Sequence, residues 1–200
     1  MIIVKDLIQG SPEWFAEKIG KPSASNASKI ITNDGKPSKQ REGYLYELAA
    51  EAITGRQENG YKNGAMEQGQ EREDESRKMF ELMHDVEIEK VGVVYKDEKK
   101  RFLCSPDGMA KDFGLELKNP FSKTQVKYLL DGELPNEYFG QVQFSLYVTG
   151  FKSWWFLSYV PVMRPLILEV RPDMAYQKSL AKELDIFCDE LDEIIKKLKG

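Results

Sequence analysis

An aspartate, a glutamate and a lysine stand close together in "CSPDGMAKDFGLELKNP", the stretch from Cys104 to Pro120. Asp107 sits in a Pro-Asp-Gly turn, and Glu116 and Lys118 flank Leu117 in a short strand pattern. Side chains alternate along a strand, so Glu116 and Lys118 project from one face and Leu117 from the other. Asp107 follows the preceding strand in a hairpin-like arrangement, which is expected to bring it beside Glu116. Two carboxylates converging at a sheet edge make a hard-oxygen site suited to Mg²⁺ or Mn²⁺, with positions left for water and phosphate. A neighbouring lysine adds positive charge where a phosphate would gather negative charge. Such a group hydrolyses phosphodiesters. The competing reading is a surface Glu–Lys pair beside a turn aspartate, a pattern that short stretches of many chains match by chance.

The rest of the composition narrows the chemistry. His84 is the single histidine, which leaves little material for His-based zinc sites or His-dependent triads. The acidic stretch "GQEREDESR" precedes the motif, and Glu73 within it could supply a further carboxylate. Its alternative role is an i,i+4 pair with Arg77, worth tenths of a kcal/mol. The net charge of −4 argues against a general nucleic-acid coat protein but not against lysines gathered in one cleft.

Elements able to hold these residues can be read along the chain. "SPEWFAEKIG" begins with an N-cap serine and a first-turn proline and stops at Gly20. "SKQREGYLYELAAEAITG" carries apolar residues at helical spacing, and "GAMEQGQEREDESRKMFELM" reads as a polar helix with Met79, Phe80 and Met83 turned inward. Strand signals follow in "VEIEKVGVVY", "RFLCS" and "GLELKNP", expected as a three-strand meander. Helical patterns return at "SKTQVKYLL" and "NEYFGQVQFSLYVTG", then strands at "SWWFLSYV" and "LILEVR". From Asp173 onward Tyr176, Leu180, Leu184, Phe187, Leu191, Ile194 and Leu198 form an amphipathic stripe. The order predicts an α/β (α+β) fold with a mixed sheet flanked by helices and a C-terminal amphipathic helix. One domain over 1–200 is expected: a helical, DNA-binding part at 1–85, a catalytic sheet with helices at 86–171, and the final helix at 172–200.

An apolar fraction of 41% suffices for a core. No secretory leader is read at "MIIVKDLIQGSPEW", and "SWWFLSYVPVMRPLILEV" is interrupted by Pro161, Arg164 and Pro165. Two cysteines make no disulfide framework, so a reducing cytoplasm is expected.

Four ordered blocks then carry a resemblance: "EWFAEKIGKPSAS", "GQEREDESRKMFE", "SPDGMAKDFGLELKNPF" and "YFGQVQFSLYVTG". Over most of its length the chain resembles the phage lambda-type alkaline exonucleases, viral recombinases of the PD-(D/E)XK nuclease superfamily. The resemblance implies a restriction-endonuclease-like core and metal-dependent 5′→3′ digestion of linear double-stranded DNA to mononucleotides and a 3′ overhang, serving recombination by strand annealing. It implies Mg²⁺, with Mn²⁺ as substitute, a ring-shaped homotrimer on DNA ends, a single-strand annealing partner, and a phage or prophage gene expressed in a bacterial cytoplasm. By position it makes Asp107 and Glu116 metal-binding acids with the Leu117 carbonyl as a further ligand, and Lys118 the catalytic lysine. Glu73 becomes the helix acid that orients water or joins the metal, Gln143 the site glutamine, and Tyr138 its neighbour. Ser25 and Ser105 match hydroxyls that bind a terminal 5′-phosphate. The chain departs from the family at Lys18, where an arginine is usual; lysine keeps the charge but loses the bidentate fork. Met66 stands where family members place an apolar wedge between terminal bases, with a helix-start staple as the alternative.

Trp14 beside Lys18 could line a DNA cleft or anchor its helix, whereas Trp154 and Trp155 suit a core. Lys36, Lys39 and Arg41, in "NDGKPSKQR", are expected to contact backbone phosphates. Two other functions remain open at this level: a structure-specific or restriction-type endonuclease of the same superfamily, and a non-catalytic DNA-binding module on a nuclease fold. The intact Asp107, Glu116 and Lys118 speak against the latter.

Overall fold

The computed structural model describes the backbone of residues 1–57 and 63–200 and the side chains outside 58–71. Strand β1 (Ile2–Val4) leads to helix α1 (Pro12–Lys18), whose N-cap Ser11 accepts a hydrogen bond from the Trp14 amide. A 3-10 turn (Ala24–Asn26) and the single-turn α2 (Ala27–Ile30) precede α3 (Arg41–Thr54), which Gly55 ends in the left-handed conformation. Then come α4 (Asn63–His84), β2 (Val93–Tyr95), β3 (Leu103–Cys104), β4 (Gly108–Met109) and β5 (Phe113–Lys118). The chain closes with α5 (Ser122–Asp131), α6 (Asn136–Thr149), β6 (Ser153–Ser158), β7 (Leu166–Val170) and α7 (Met174–Lys199).

The strands form two sheets, in the orders β1-β2-β3 and β4-β5-β6-β7. Among the described strands only β5 and β6 run parallel; the other strand pairs are antiparallel. The expected three-strand meander is therefore split. β3 stays with β2, and the chain crosses at Ser105-Pro106-Asp107 into a β4–β5 hairpin of the second sheet. Pro106 has no amide hydrogen to continue a ladder, so the crossing falls there. β1, which pairs with β2, extends the first sheet.

The four-stranded sheet is covered on both faces. Leu115, Leu117 and Leu157 pack against Phe80 of α4. On the opposite face Phe156 meets Tyr128 of α5 and Tyr138 of α6, and Trp154 meets Val142 and Leu146 of α6. The other side of α6 places Phe144 and Val148 in the main core with residues of α2, α3 and α7. α6 is thus buried on two sides, and it carries Gln141 to Glu116 of β5, as α5 carries Gln125 to Ser158 of β6. Met83 is exposed rather than inward; the inward place one turn after Phe80 is taken by His84, whose ring stacks on Phe80 (4.3 Å) and lies 4.8 Å from Trp155 of β6.

The close fit of β5 on β6 depends on Gly114. A Cβ there would lie 2.3 Å from the buried Trp154 ring. Gly114→Ala is expected to lose about 1–3 kcal/mol by overpacking, read as a melting temperature lower by roughly 2–4 °C per kcal/mol. An unchanged melting temperature would show that Trp154 repacks freely.

Candidate active site

β4 pairs with β5 only at Gly108–Leu115 and Met109–Gly114, so among the described residues the remainder of that β5 edge has no strand beside it. Asp107 takes the place of the missing rung. Its own amide donates to the Leu115 carbonyl (3.1 Å), and its Oδ2 accepts from the Leu117 amide (2.7 Å). In a strand the N–H and C=O of one residue point to the same side, so the Leu117 carbonyl faces this same edge. Glu116 and Lys118 project together toward α6, as the strand period requires. Glu116 is 1% exposed; Lys118 Nζ contacts its Oε1, and Gln141 Nε2 donates to the same oxygen at 2.6 Å. The Tyr138 ring lies 5.0 Å from Lys118 Nζ.

The charges press on one another. Burial raises the pKa of Asp107, opposed by Lys118 and by the Leu117 amide. Burial, with repulsion from Asp107, pushes Glu116 up to about 7 against the pull of Lys118. Burial alone would lower Lys118, but Glu116 and Asp107 outweigh it and hold the ammonium above its ordinary range. Glu73 reaches the site from α4 and lines a cavity of about 240 Å³ together with Asp107. Burial and then the charge of Asp107 raise its pKa. Among the described residues no three Asp, Glu, His or Cys side chains are grouped closely enough to hold a metal ion. What the strand edge offers instead is two carboxylates with excess negative charge and a main-chain carbonyl, a hard-oxygen set that fits Mg²⁺ or Mn²⁺.

Arg77 does not pair with Glu73. Its buried guanidinium donates from Nε to the Asp107 carbonyl (3.1 Å) and from Nη1 to Asp74 (2.6 Å), and Asp74 in turn contacts Lys90. This ties the Asp107 turn to the helix that carries Glu73.

A second group lies around α1. Lys18 Nζ sits 3.7 Å from the centre of the Trp14 ring. Trp14 Nε1 donates to the Gly92 carbonyl (3.0 Å) and to Ser105 Oγ (3.2 Å). Ser25 Oγ is 3.2 Å from Ser23 Oγ, and Ser23 lines a cavity of about 210 Å³ with Lys18. A parallel bridge between Ser23 and Leu103 leaves Ser25 and Ser105 each two residues further along. Trp14 thus links Lys18 to Ser105 and anchors its helix, while Ser25 meets the wall of the Lys18 cavity through Ser23.

Two expected residues fall elsewhere. Gln143 points away from Glu116: its amide donates to the Arg171 carbonyl (2.9 Å) and accepts from the Asp173 amide (2.9 Å), fixing the start of α7. Gln141 is the glutamine at the site, three residues after Tyr138 and on the same helix face. Arg41 lies in α3 and pairs with Glu190 of α7 at 2.5 Å, so it holds two helices together. Met66 lies outside the described side chains. Lys36 and Lys39 are exposed on the loop before α3.

Residues 13–152 match the YqaJ-like viral recombinase domain. The chain belongs to this family. Among solved structures it is similar to an alkaline exonuclease (LHK-Exo) from Laribacter hongkongensis, with 27% identity, a TM-score of 0.83, and 94% of this chain and 96% of that chain covered. The same exonuclease in complex with dAMP matches equally. A phage related exonuclease from Haemophilus somnus 129PT, 13% identical with a TM-score of 0.67 over 89% of this chain and 96% of that one, shares the fold. No curated protein matches the chain. Family and fold together support a nuclease, consistent with the lambda-type exonucleases. No described helix is long and apolar enough to cross a membrane.

Proposed function

We propose that this protein is a divalent-metal-dependent 5′→3′ exonuclease that digests linear double-stranded DNA from a 5′-phosphorylated end. The observation that carries the reading is the convergence of Asp107, Glu116 and Lys118 at the unpaired edge of β5. Asp107, Glu116 and the Leu117 carbonyl would hold Mg²⁺, with Glu73 near enough to orient water. The cation, when bound, supplies Lewis acidity toward water and phosphate. Lys118 brings a fixed positive charge to the phosphate oxygens, Gln141 orients the Glu116 carboxylate, and Arg77 holds the Asp107 turn. Lys18, Ser25 and Ser105 would take the terminal phosphate and so set which bond meets the carboxylates. Lys36 and Lys39 would meet the DNA backbone. The ring-shaped homotrimer, the single-strand annealing partner and a cytoplasmic setting are what the family resemblance implies.

Burial lowers Lys18 to about 8, opposed only in part by Glu51. A lysine with a depressed pKa is charged below that value and neutral above it. The 5′-phosphate preference should therefore be greatest below pH 8 and shrink as pH rises beyond it, while phosphate binding itself favours the charged form. The test compares kcat/KM on linear duplexes with 5′-phosphate and 5′-hydroxyl ends at pH 7 and 9.5, with and without Mg²⁺, beside a closed circle. About a tenfold fall in the phosphate preference is expected, the worth of one charge-assisted hydrogen bond. Lys18→Arg should hold the preference constant across that range. Cutting of the circle would favour an endonuclease, and loss from 3′ ends would remove the pocket assignment.

A further inference from the structure

The cavity that opens on Glu73 and Asp107 has a wall that the hydrolytic reading does not use. Besides those acids and the Asp74–Arg77 pair it is lined, among the described residues, by Lys5, Leu7, Ile8, Gln9, Lys90 and Val91. Ile8 is 75% exposed, so burial in the core does not explain an isoleucine there. The segment bearing it is nevertheless fixed. Gln9 Nε2 donates to the Val91 carbonyl (2.9 Å), before β2, and to the Pro106 carbonyl (2.8 Å), in the crossing into Asp107. Leu7 presses on Gly92 so closely that a Cβ at Gly92 would come within 2.4 Å of it. The wall is held before any ligand arrives, which lowers the ordering cost of binding.

We infer that Leu7, Ile8 and Val91 form a subsite for the base of the nucleotide released at Asp107 and Glu116. This rests on the proposed nuclease reading. The volume of about 240 Å³ is of the size of one nucleotide, not of a duplex. Its composition suits one as well: apolar side chains on one wall, lysines at the rim. Lys5 pairs with Glu89 (2.8 Å) and Lys90 with Asp74, so the rim charge is moderated and release of an anionic product is not blocked. The three wall side chains have no group that reads a base edge, and the Gln9 amide nitrogen is committed to main-chain carbonyls. Recognition here is by apolar contact, which every base offers, and this suits an enzyme that must pass through any sequence.

The experiment measures binding of dAMP, dCMP and deoxyribose 5-phosphate by calorimetry with Ca²⁺, alongside digestion of a linear duplex with Mg²⁺. Both nucleotides should bind roughly tenfold more tightly than the sugar phosphate, the worth of a few buried apolar contacts. Ile8→Ser should cut that advantage to about twofold or less and leave sugar-phosphate binding unchanged, and Ile8→Leu should restore it. A wild-type protein with no base advantage, or an Ile8→Ser variant that keeps all of it, overturns the subsite. Failure of the wild type to digest linear duplex instead overturns the nuclease reading, whatever the nucleotides do.

Discussion

Glu116→Gln is expected to abolish hydrolysis and at the same time to stabilise the metal-free protein. On the proposed reading, losing a carboxylate that would hold the cation removes several kcal/mol of charge stabilisation in the transition state, or at least ~10³-fold in rate. The stability arm follows from the sign of the pKa shift. Burial and Asp107 push Glu116 up to about 7, so the folded protein binds that proton more tightly than the unfolded chain does. Stability is lost as pH rises from the ordinary carboxylate range through about 7, and the full cost is present at pH 8. Glutamine removes that cost, which is on the order of 1–3 kcal/mol. The melting temperature at pH 8 without metal should therefore rise by several degrees, while the increment given by Mg²⁺ should shrink. Near-wild-type turnover would remove this site from consideration; a lower melting temperature at full loss of activity would mean that the contact with Lys118 outweighs burial.

Lys118→Ala is expected to slow hydrolysis by at least ~10²-fold while leaving DNA binding and the fold intact. The carboxylates hold Lys118 charged, so in the proposed reaction it would act as a cationic donor to phosphate rather than as a base that must shed its proton. Lys118→Arg should then recover part of the rate, although the fork of arginine needs more room than the space bounded by Tyr138 and Gln141 gives. Single-turnover rates on a 5′-phosphorylated duplex measure both variants. Equal rates for Lys118→Ala and wild type would leave Lys118 as a structural partner of Glu116 only.

Much of the candidate site's geometry was legible because strand geometry is simple. A period of two puts Glu116 and Lys118 on one face whatever the rest of the chain does, and Leu117 is indeed buried against Phe80 on the other. The glutamine was harder. Gln141 and Gln143 differ by about 200° around α6, and both neighbours of Gln143 are apolar, so composition does not say which one faces the sheet. The signal was present in Tyr138: a residue at the site carries its i+3 neighbour with it, and that neighbour is Gln141. The split of the meander at Pro106 depended on which edge β3 would choose, a long-range matter that a proline signals but does not decide. Arg41 was read as a loop cation because its partner, Glu190, lies 149 residues away in sequence. β1 was not legible as a strand because three apolar residues at the start of a chain reveal nothing until β2 is there to pair with them.

The placement of Lys18 over Trp14 also makes the molecule its own optical probe. An ammonium 3.7 Å from the ring centre perturbs the emission of the indole, and an anion that draws Lys18 aside changes that perturbation. Trp154 is fully buried and Trp155 packs on Phe80, so neither senses the same event. On the proposed reading, intrinsic fluorescence would follow occupancy of the pocket assigned to the DNA end in real time on unlabelled DNA, separating the arrival of an end from the cutting that follows.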